Sequence, residues 1–130
     1  MIADSSVWID LLNGRAGPRT ARLAVDLLQD DTRVVLGDLI VHEILRGVKD
    51  ARRRASIHAD LSELKIVEMV NAERAVRAAN RYAELRAKGM TVRKTTDVLI
   101  ASYCIDEGQS LLFTDRDFEY FVEHFGLRRA

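Results

Sequence analysis

The chain has 130 residues, 48% hydrophobic and 31% charged, enough to bury one core and keep a polar surface. Twenty Lys and Arg cancel twenty Asp and Glu, which excludes nucleic-acid binding through overall charge and leaves that role to local patches. The lone Cys104 excludes an internal disulfide and a cysteine-only zinc site, and no apolar run approaches the roughly 18 residues of a membrane span.

The opening MIADSSVWID carries acid where a secretory leader needs a basic flank, so a cytoplasmic protein is expected. Met1 to Asp4 reads as a very short strand. Ser5 and Ser6 are placed to cap a helix carrying Val7, Trp8, Leu11 and Leu12, ending near Gly14. Pro18 suits the first turn of a second helix. Val34-Val35-Leu36 reads as a buried strand closed by Gly37, and Asp38 as the cap of a helix with Leu39, Ile40, Ile44 and Leu45 that stops at Gly47. A basic amphipathic stretch spans Asp50 to Leu64. Lys65 to Met69 is a strand. Asn71 opens a long helix to about Lys88, closed by Gly89. Thr95 or Thr96 caps a helix through Ile105, Ser110 to Phe113 is the next strand, and a short helix begins near Asp115. One Pro and seven Gly leave little room for linkers, so residues 1–130 read as a single domain.

Short apolar strands alternating with helices predict an α/β fold with a mainly parallel sheet covered on both faces. Ligands of such sheets lie outside the carboxyl ends of the strands. Asp4 ends the first strand, and Asp115 and Asp117 end the strand at Phe113, so acids from two strand ends meet at one edge. Glu43 interrupts the apolar run Leu39-Ile40-Val41-His42-Glu43-Ile44-Leu45, and Asp97 opens the helix Thr96-Asp97-Val98-Leu99-Ile100. Each acid has an ordinary structural reading: Asp97 as a first-turn acid favoured by the helix dipole, Glu43 on a solvent stripe, the others as caps or turn residues. Together they suit a hard cation, because converging carboxylates repel and Mg²⁺ or Mn²⁺ takes oxygen ligands. A metal so held serves phosphodiester chemistry.

Four places carry a resemblance over essentially the whole chain: apolar-Asp-Ser-Ser (Ala3 to Ser6), Glu-x-x-x-Gly (Glu43 to Gly47), Asp-x-Leu-Ile-Ala (Asp97 to Ala101) and Thr-Asp-Arg-Asp-Phe (Thr114 to Phe118). In this order the chain resembles the PIN-domain ribonucleases, most closely the toxins of VapBC toxin–antitoxin modules. The resemblance implies a three-layer α/β/α PIN-like fold with a short-stranded, mainly parallel central sheet. It implies a Mg²⁺ site, with Mn²⁺ able to substitute, formed by Asp4, Glu43, Asp97 and Asp115. Asp117 matches a more variable place. Ser6 and Thr114 match hydroxyl positions that orient a carboxylate. It further implies an endoribonuclease toxin, a homodimer, in-line attack of a metal-activated water on tRNA or rRNA, and neutralisation by a VapB-type antitoxin.

Arg93 and Lys94 precede Asp97 closely enough to meet an RNA phosphate, against a reading as plain surface charge. Arg52 to Arg54 read as a solvated helix face, His42, His58 and His124 lack metal-ligand spacing, and Cys104 and Trp8 read as core. A haloacid-dehalogenase phosphatase needs Asp-x-Asp where this chain has Asp4-Ser5-Ser6. A receiver domain fits Val34 to Asp38 only loosely, and no P-loop occurs. The alternative from another class is a non-catalytic RNA- or partner-binding protein on the same fold.

Overall fold

The computed structural model describes residues 1–130. Five short strands, β1 (Ile2–Ala3), β2 (Val35–Gly37), β3 (Lys65–Val67), β4 (Ser110–Leu112) and β5 (Arg128–Arg129), are linked by helices. These helices are α1 (Ser5–Leu12), α2 (Pro18–Gln29), α3 (Asp38–Arg46), α4 (Ala51–Leu61), α5 (Ala72–Ala87), α6 (Thr95–Asp106) and α7 (Asp117–Phe125), with a 3₁₀ turn at Asp31–Arg33.

All strand pairs are parallel. Ile2 faces Leu111 and Ala3 faces Leu112, while Leu36 faces Ile66 on the other side. The sheets β1-β4-β5 and β2-β3 are joined edge to edge, Val35 N donating to Met1 O at 2.9 Å. The order is therefore β3-β2-β1-β4-β5. Connections leave β1 in one direction and later return past it in the other, so the topological switch point lies between β1 and β4. Right-handed crossovers put the two directions on opposite faces. Accordingly α1 packs on α2 and α3, and α3 on α4, while α6 packs on α5 and α7.

Burial explains the strands. Ile2, Leu36 and Leu111 are fully buried, sandwiched with Ile40, Ile100, Phe118 and Phe121 from the helices. No helix is long and apolar enough to cross a membrane.

The caps differ from the sequence expectation. Asp4, not Ser5 or Ser6, caps α1, its side chain accepting from Ser6 N. Gly37 occupies the cap position of α3, and Asp38 Oδ1 instead accepts from Leu39 N at 2.8 Å and Met69 N at 3.1 Å, tying the exit of β3 to the start of α3. Helix α7 starts at Asp117 instead of Asp115, because Asp115 accepts from the Asp117 N–H and so turns the chain into the helix. Strands β3 and β4 end earlier than expected, at Val67 instead of Met69 and at Leu112 instead of Phe113, while β2 runs on through Gly37. Gly37 has an ordinary φ of −87°, so its requirement is space: a Cβ there would lie 2.1 Å from the Met69 sulfur and 2.8 Å from Met69 Cγ. Met69 is wholly buried and has little freedom to retreat.

Gly37→Ala is therefore expected to lower stability by about 1–3 kcal/mol through overpacking, with an unchanged denaturant slope. Urea melts of the two proteins measure this, and coincident midpoints would show that Met69 repacks freely.

Candidate active site

Backbone pairing creates the site. Asp4 N donates to Leu112 O at 2.9 Å, so the carboxyl ends of β1 and β4 are level. Asp4 then leaves β1 as Thr114 and Asp115 leave β4. Helix α3 follows β2 and brings Glu43 in from one side, on a buried turn with Ile40 and Ile44. Asp97 comes from the first turn of α6. Asp4, Glu43 and Asp97 are all buried, Asp97 with 3% exposure, while Asp115 is half-buried.

Each acid is held differently. Ser6 Oγ donates to Asp4 Oδ2 at 2.7 Å. A serine hydroxyl has one proton, so the 2.9 Å contact between Ser6 Oγ and Thr114 Oγ1 has Thr114 as its donor. The chain Thr114→Ser6→Asp4 thus crosses from β4 to β1. Thr96 Oγ1 donates to Glu43 Oε1 at 2.7 Å. Arg93 Nη2 donates to Asp115 at 3.1 and 3.4 Å, and Asp117 N to Asp115 Oδ1 at 2.9 Å. Asp117 lies one helical step further and faces Arg93: its Oδ2 accepts from Arg93 N at 3.0 Å and Nε at 3.2 Å.

The acids feel one another. Burial pushes the Asp4 carboxyl above its ordinary range; the Ser6 hydrogen bond opposes this and the charge of Glu43 adds to it. Asp97 is pushed up to about 7, by burial first and then by Asp4; Lys94 pulls the other way, and Asp115 and Glu43 add to the rise. No three His, Cys, Asp or Glu side chains close into a ready-made cage. What remains is a set of unsatisfied oxygens: Asp4 Oδ1, Glu43 Oε2 and Asp97 Oδ2 are buried without a hydrogen-bond partner. Three such atoms, from three different elements at one sheet edge, fit a hard divalent cation. Buried anionic oxygens otherwise carry an uncompensated desolvation cost.

Of the other residues weighed from sequence, His42 and His58 are exposed, and Arg52 to Arg54 form an exposed face of α4. Cys104 is buried and its thiol is pushed up to about 12 by burial, so it stays protonated and inert. Lys94 is exposed at the start of α6, where its charge reaches Asp97. The sequence reading did not anticipate Thr96 as the partner of Glu43, or Arg93 as the partner of Asp115 and Asp117. Only the Thr96-Asp97 adjacency hinted at the first.

A parallel α/β sheet with an acidic edge at its switch point defines a class built for cation-assisted chemistry. A family model for the PIN domain matches residues 1–123, and the chain belongs to that family. PIN domains are generally nucleases, and PIN nucleases generally use divalent metal ions. No curated protein matches the chain in sequence. Among solved structures it is similar to VapBC2 from Rickettsia felis bound to a DNA fragment from their promoter, with 20% identity, TM-score 0.76, and 99% of this chain and 96% of that one covered. It is also similar to FitAcB from Neisseria gonorrhoeae, with 16% identity, TM-score 0.73, and 92% and 91% covered. A third similar structure is DNA-bound VapBC from Salmonella typhimurium, with 18% identity, TM-score 0.71, and 99% and 95% covered.

The raised Asp97 pKa sets a stability prediction. A folded-state pKa near 7 against an unfolded value near 4 means that the folded state holds the extra proton between them. Stability therefore falls as pH rises through that window, by roughly 4 kcal/mol at most for this group. In EDTA the parent should melt higher at pH 5 than at pH 7.5. Asp97→Asn should show little of this dependence and melt above the parent at pH 7.5, by about 1 kcal/mol or more. An Asn variant that melts lower there, with the parent's pH profile, would return Asp97 to the role of an ordinary helix-start acid.

Proposed function

We propose that this protein is a Mg²⁺-dependent endoribonuclease, with Mn²⁺ able to substitute, acting as the toxin of a type II toxin–antitoxin module. The whole chain, residues 1–130, would act as one PIN domain, in the cytoplasm and as a homodimer, held inactive by a VapB-type antitoxin. The observation that carries this reading is the trio of buried, partnerless carboxylate oxygens on Asp4, Glu43 and Asp97. A protein that only bound RNA would gain stability by replacing such acids with neutral side chains.

When bound, the ion supplies a Lewis acid and a water of lowered pKa. Asp4, Glu43 and Asp97 would hold it through their open oxygens, with Asp115 completing the set. Ser6, itself oriented by Thr114, fixes the Asp4 carboxylate, and Thr96 fixes that of Glu43. Glu43, with Oε2 open toward the same edge, would also orient the attacking water. The reaction is hydrolysis of an RNA phosphodiester, with tRNA and rRNA as the substrate classes.

The surface supports the partners. A cleft of about 310 Å³ between α1, α3 and α4, lined by Ile9, Leu12, Ile44, Val48 and Ile57, offers an antitoxin segment an apolar seat. A second groove, of about 300 Å³, lies between α5 and α6 over Ala75, Ala79, Val98 and Leu99. Val76 and Tyr82 are exposed on the same helix α5, which suits contact with a second copy. The three solved structures described above are named as two-component pairs, VapBC2, FitAcB and VapBC.

Purified protein should cleave RNA with Mg²⁺ or Mn²⁺ and stop when EDTA is added. Expression without an antitoxin should arrest bacterial growth, and Asp4→Ala should lose cleavage by at least about a hundredfold and relieve the arrest. A folded Asp4→Ala variant that accumulates to parental levels and still arrests growth would replace this reading with the non-catalytic, RNA- or partner-binding one.

A further inference from the structure

Arg93 combines two properties that surface arginines rarely share. Its side chain is 71% exposed, yet three parts of the residue are bonded. The backbone N–H and Nε both donate to Asp117 Oδ2, and Nη2 donates to Asp115. Asp117 is buried at the start of α7 and reaches across to the segment before α6, 24 residues away in sequence. Its Oδ2 is committed to two donors of one residue. Nη1 is the guanidinium nitrogen that no protein acceptor engages, on a side chain that is mostly exposed.

We propose that Asp117 is a positioning residue that clamps Arg93 against Asp115, and that the free Nη1 of Arg93 receives a non-bridging oxygen of the substrate phosphate. The proposal rests on the nuclease reading and deepens it. A phosphate approaching an edge of four acids meets repulsion. Arg93 offsets it at Asp115, and Lys94, whose charge reaches Asp97, offsets it on the other side. A free arginine loses side-chain entropy when it takes a phosphate, whereas one already bolted to Asp117 and Asp115 has lost it on folding. Asp117 thereby acts through Arg93 and is not a ligand of the ion.

The test uses the parent, Arg93→Ala, Asp117→Asn and the double variant. Mn²⁺ affinity is measured by calorimetric titration. Binding of a fluorescent single-stranded RNA is measured by anisotropy at several salt concentrations, with EDTA present to prevent cleavage. Arg93→Ala should weaken RNA binding and flatten the slope of log affinity against log salt by about 0.7. Asp117→Asn keeps the acceptor for the Arg93 backbone N–H but loses the charge. It should weaken RNA binding in the same direction while keeping Mn²⁺ affinity within about threefold of the parent's. The double variant should bind RNA no more weakly than Arg93→Ala alone, because the two residues work as one unit.

A tenfold or greater loss of Mn²⁺ affinity in Asp117→Asn would make Asp117 a ligand and overturn the proposal. An unchanged salt slope in Arg93→Ala would reduce Arg93 to a brace for Asp115. Additive losses in the double variant would separate the two roles. Arg93 is exposed, so its variant carries little folding risk and keeps the test decisive if Asp117→Asn unfolds. A parent that takes up no Mn²⁺ and cuts no RNA instead fails the nuclease reading itself, before any variant is compared.

Discussion

The backbone bond from Asp4 N to Leu112 O governs the geometry of this molecule. It makes the carboxyl ends of β1 and β4 level, so that side chains leaving one strand stand beside those leaving the other. β1 has only two residues, and both are fully buried. Asp4 is therefore the first side chain of the chain to carry a charge. The same residue then caps α1, which converts the end of the strand into the start of a helix without a spacer. A shift of one residue in this register would send Asp4 to the other face of the sheet and replace it with an apolar neighbour. The bridge from Thr114 through Ser6 to Asp4 fixes the same register at the level of side chains.

The cost of gathering acids is visible by contrast with Asp106. That residue sits at the far end of α6, where Arg74, Arg77 and Arg81 of α5 all bond it at 2.7 to 3.1 Å. Burial alone would push its carboxyl up, but the hydrogen bonds from Arg81, Arg77 and Arg74 hold it below the ordinary carboxylate range. The fold thus neutralises a carboxylate thoroughly where the carboxylate serves as a fastener between α5 and α6. One helix bears both cases. Asp97, nine residues earlier, receives no arginine and is driven upward instead. At the acidic edge Ser6 engages one side of Asp4 and Thr96 one side of Glu43, each leaving an oxygen open, while Arg93 meets both oxygens of Asp115. Acid left unneutralised beside so much available arginine is a property of the sequence's arrangement, not of its composition.

The elements that the sequence made legible are those whose burial leaves a pattern. Val34 to Leu36 and Ser110 to Phe113 read as strands because both faces of a parallel strand are covered. α5 was legible through Asn71 at one end and Gly89 at the other, the latter at φ +82°. β5 was not, since Arg128 and Arg129 are exposed and polar; that strand exists through its pairing with β4 and the burial of Leu127 beside it. The four acids stood out as a group because Asp4 and Asp115 follow strands, Glu43 interrupts an apolar helix run and Asp97 opens a helix. Their holders did not stand out. Thr96 meets Glu43 across 53 residues and Arg93 meets Asp117 across 24, and no local periodicity records a contact made only by folding.

Similarity to the three solved structures stands at 16 to 20% identity with TM-scores of 0.71 to 0.76. At such distance the shared quantity is the path of the backbone, which many sequences satisfy with apolar strands and covering helices. A fold that is so permissive cannot by itself require any particular acid at any particular place. The weight of a functional reading therefore falls on features that packing does not need and that stability would remove. Three partnerless buried oxygens at the switch point are such a feature, whereas the pairing of exposed Arg93 with buried Asp117 is a fastener between the segment before α6 and the start of α7. The open oxygens do not help the chain to fold. They make physical sense once an ion and an anion approach that edge from solvent, the ion taking up the open oxygens and the arginine meeting the anion's charge.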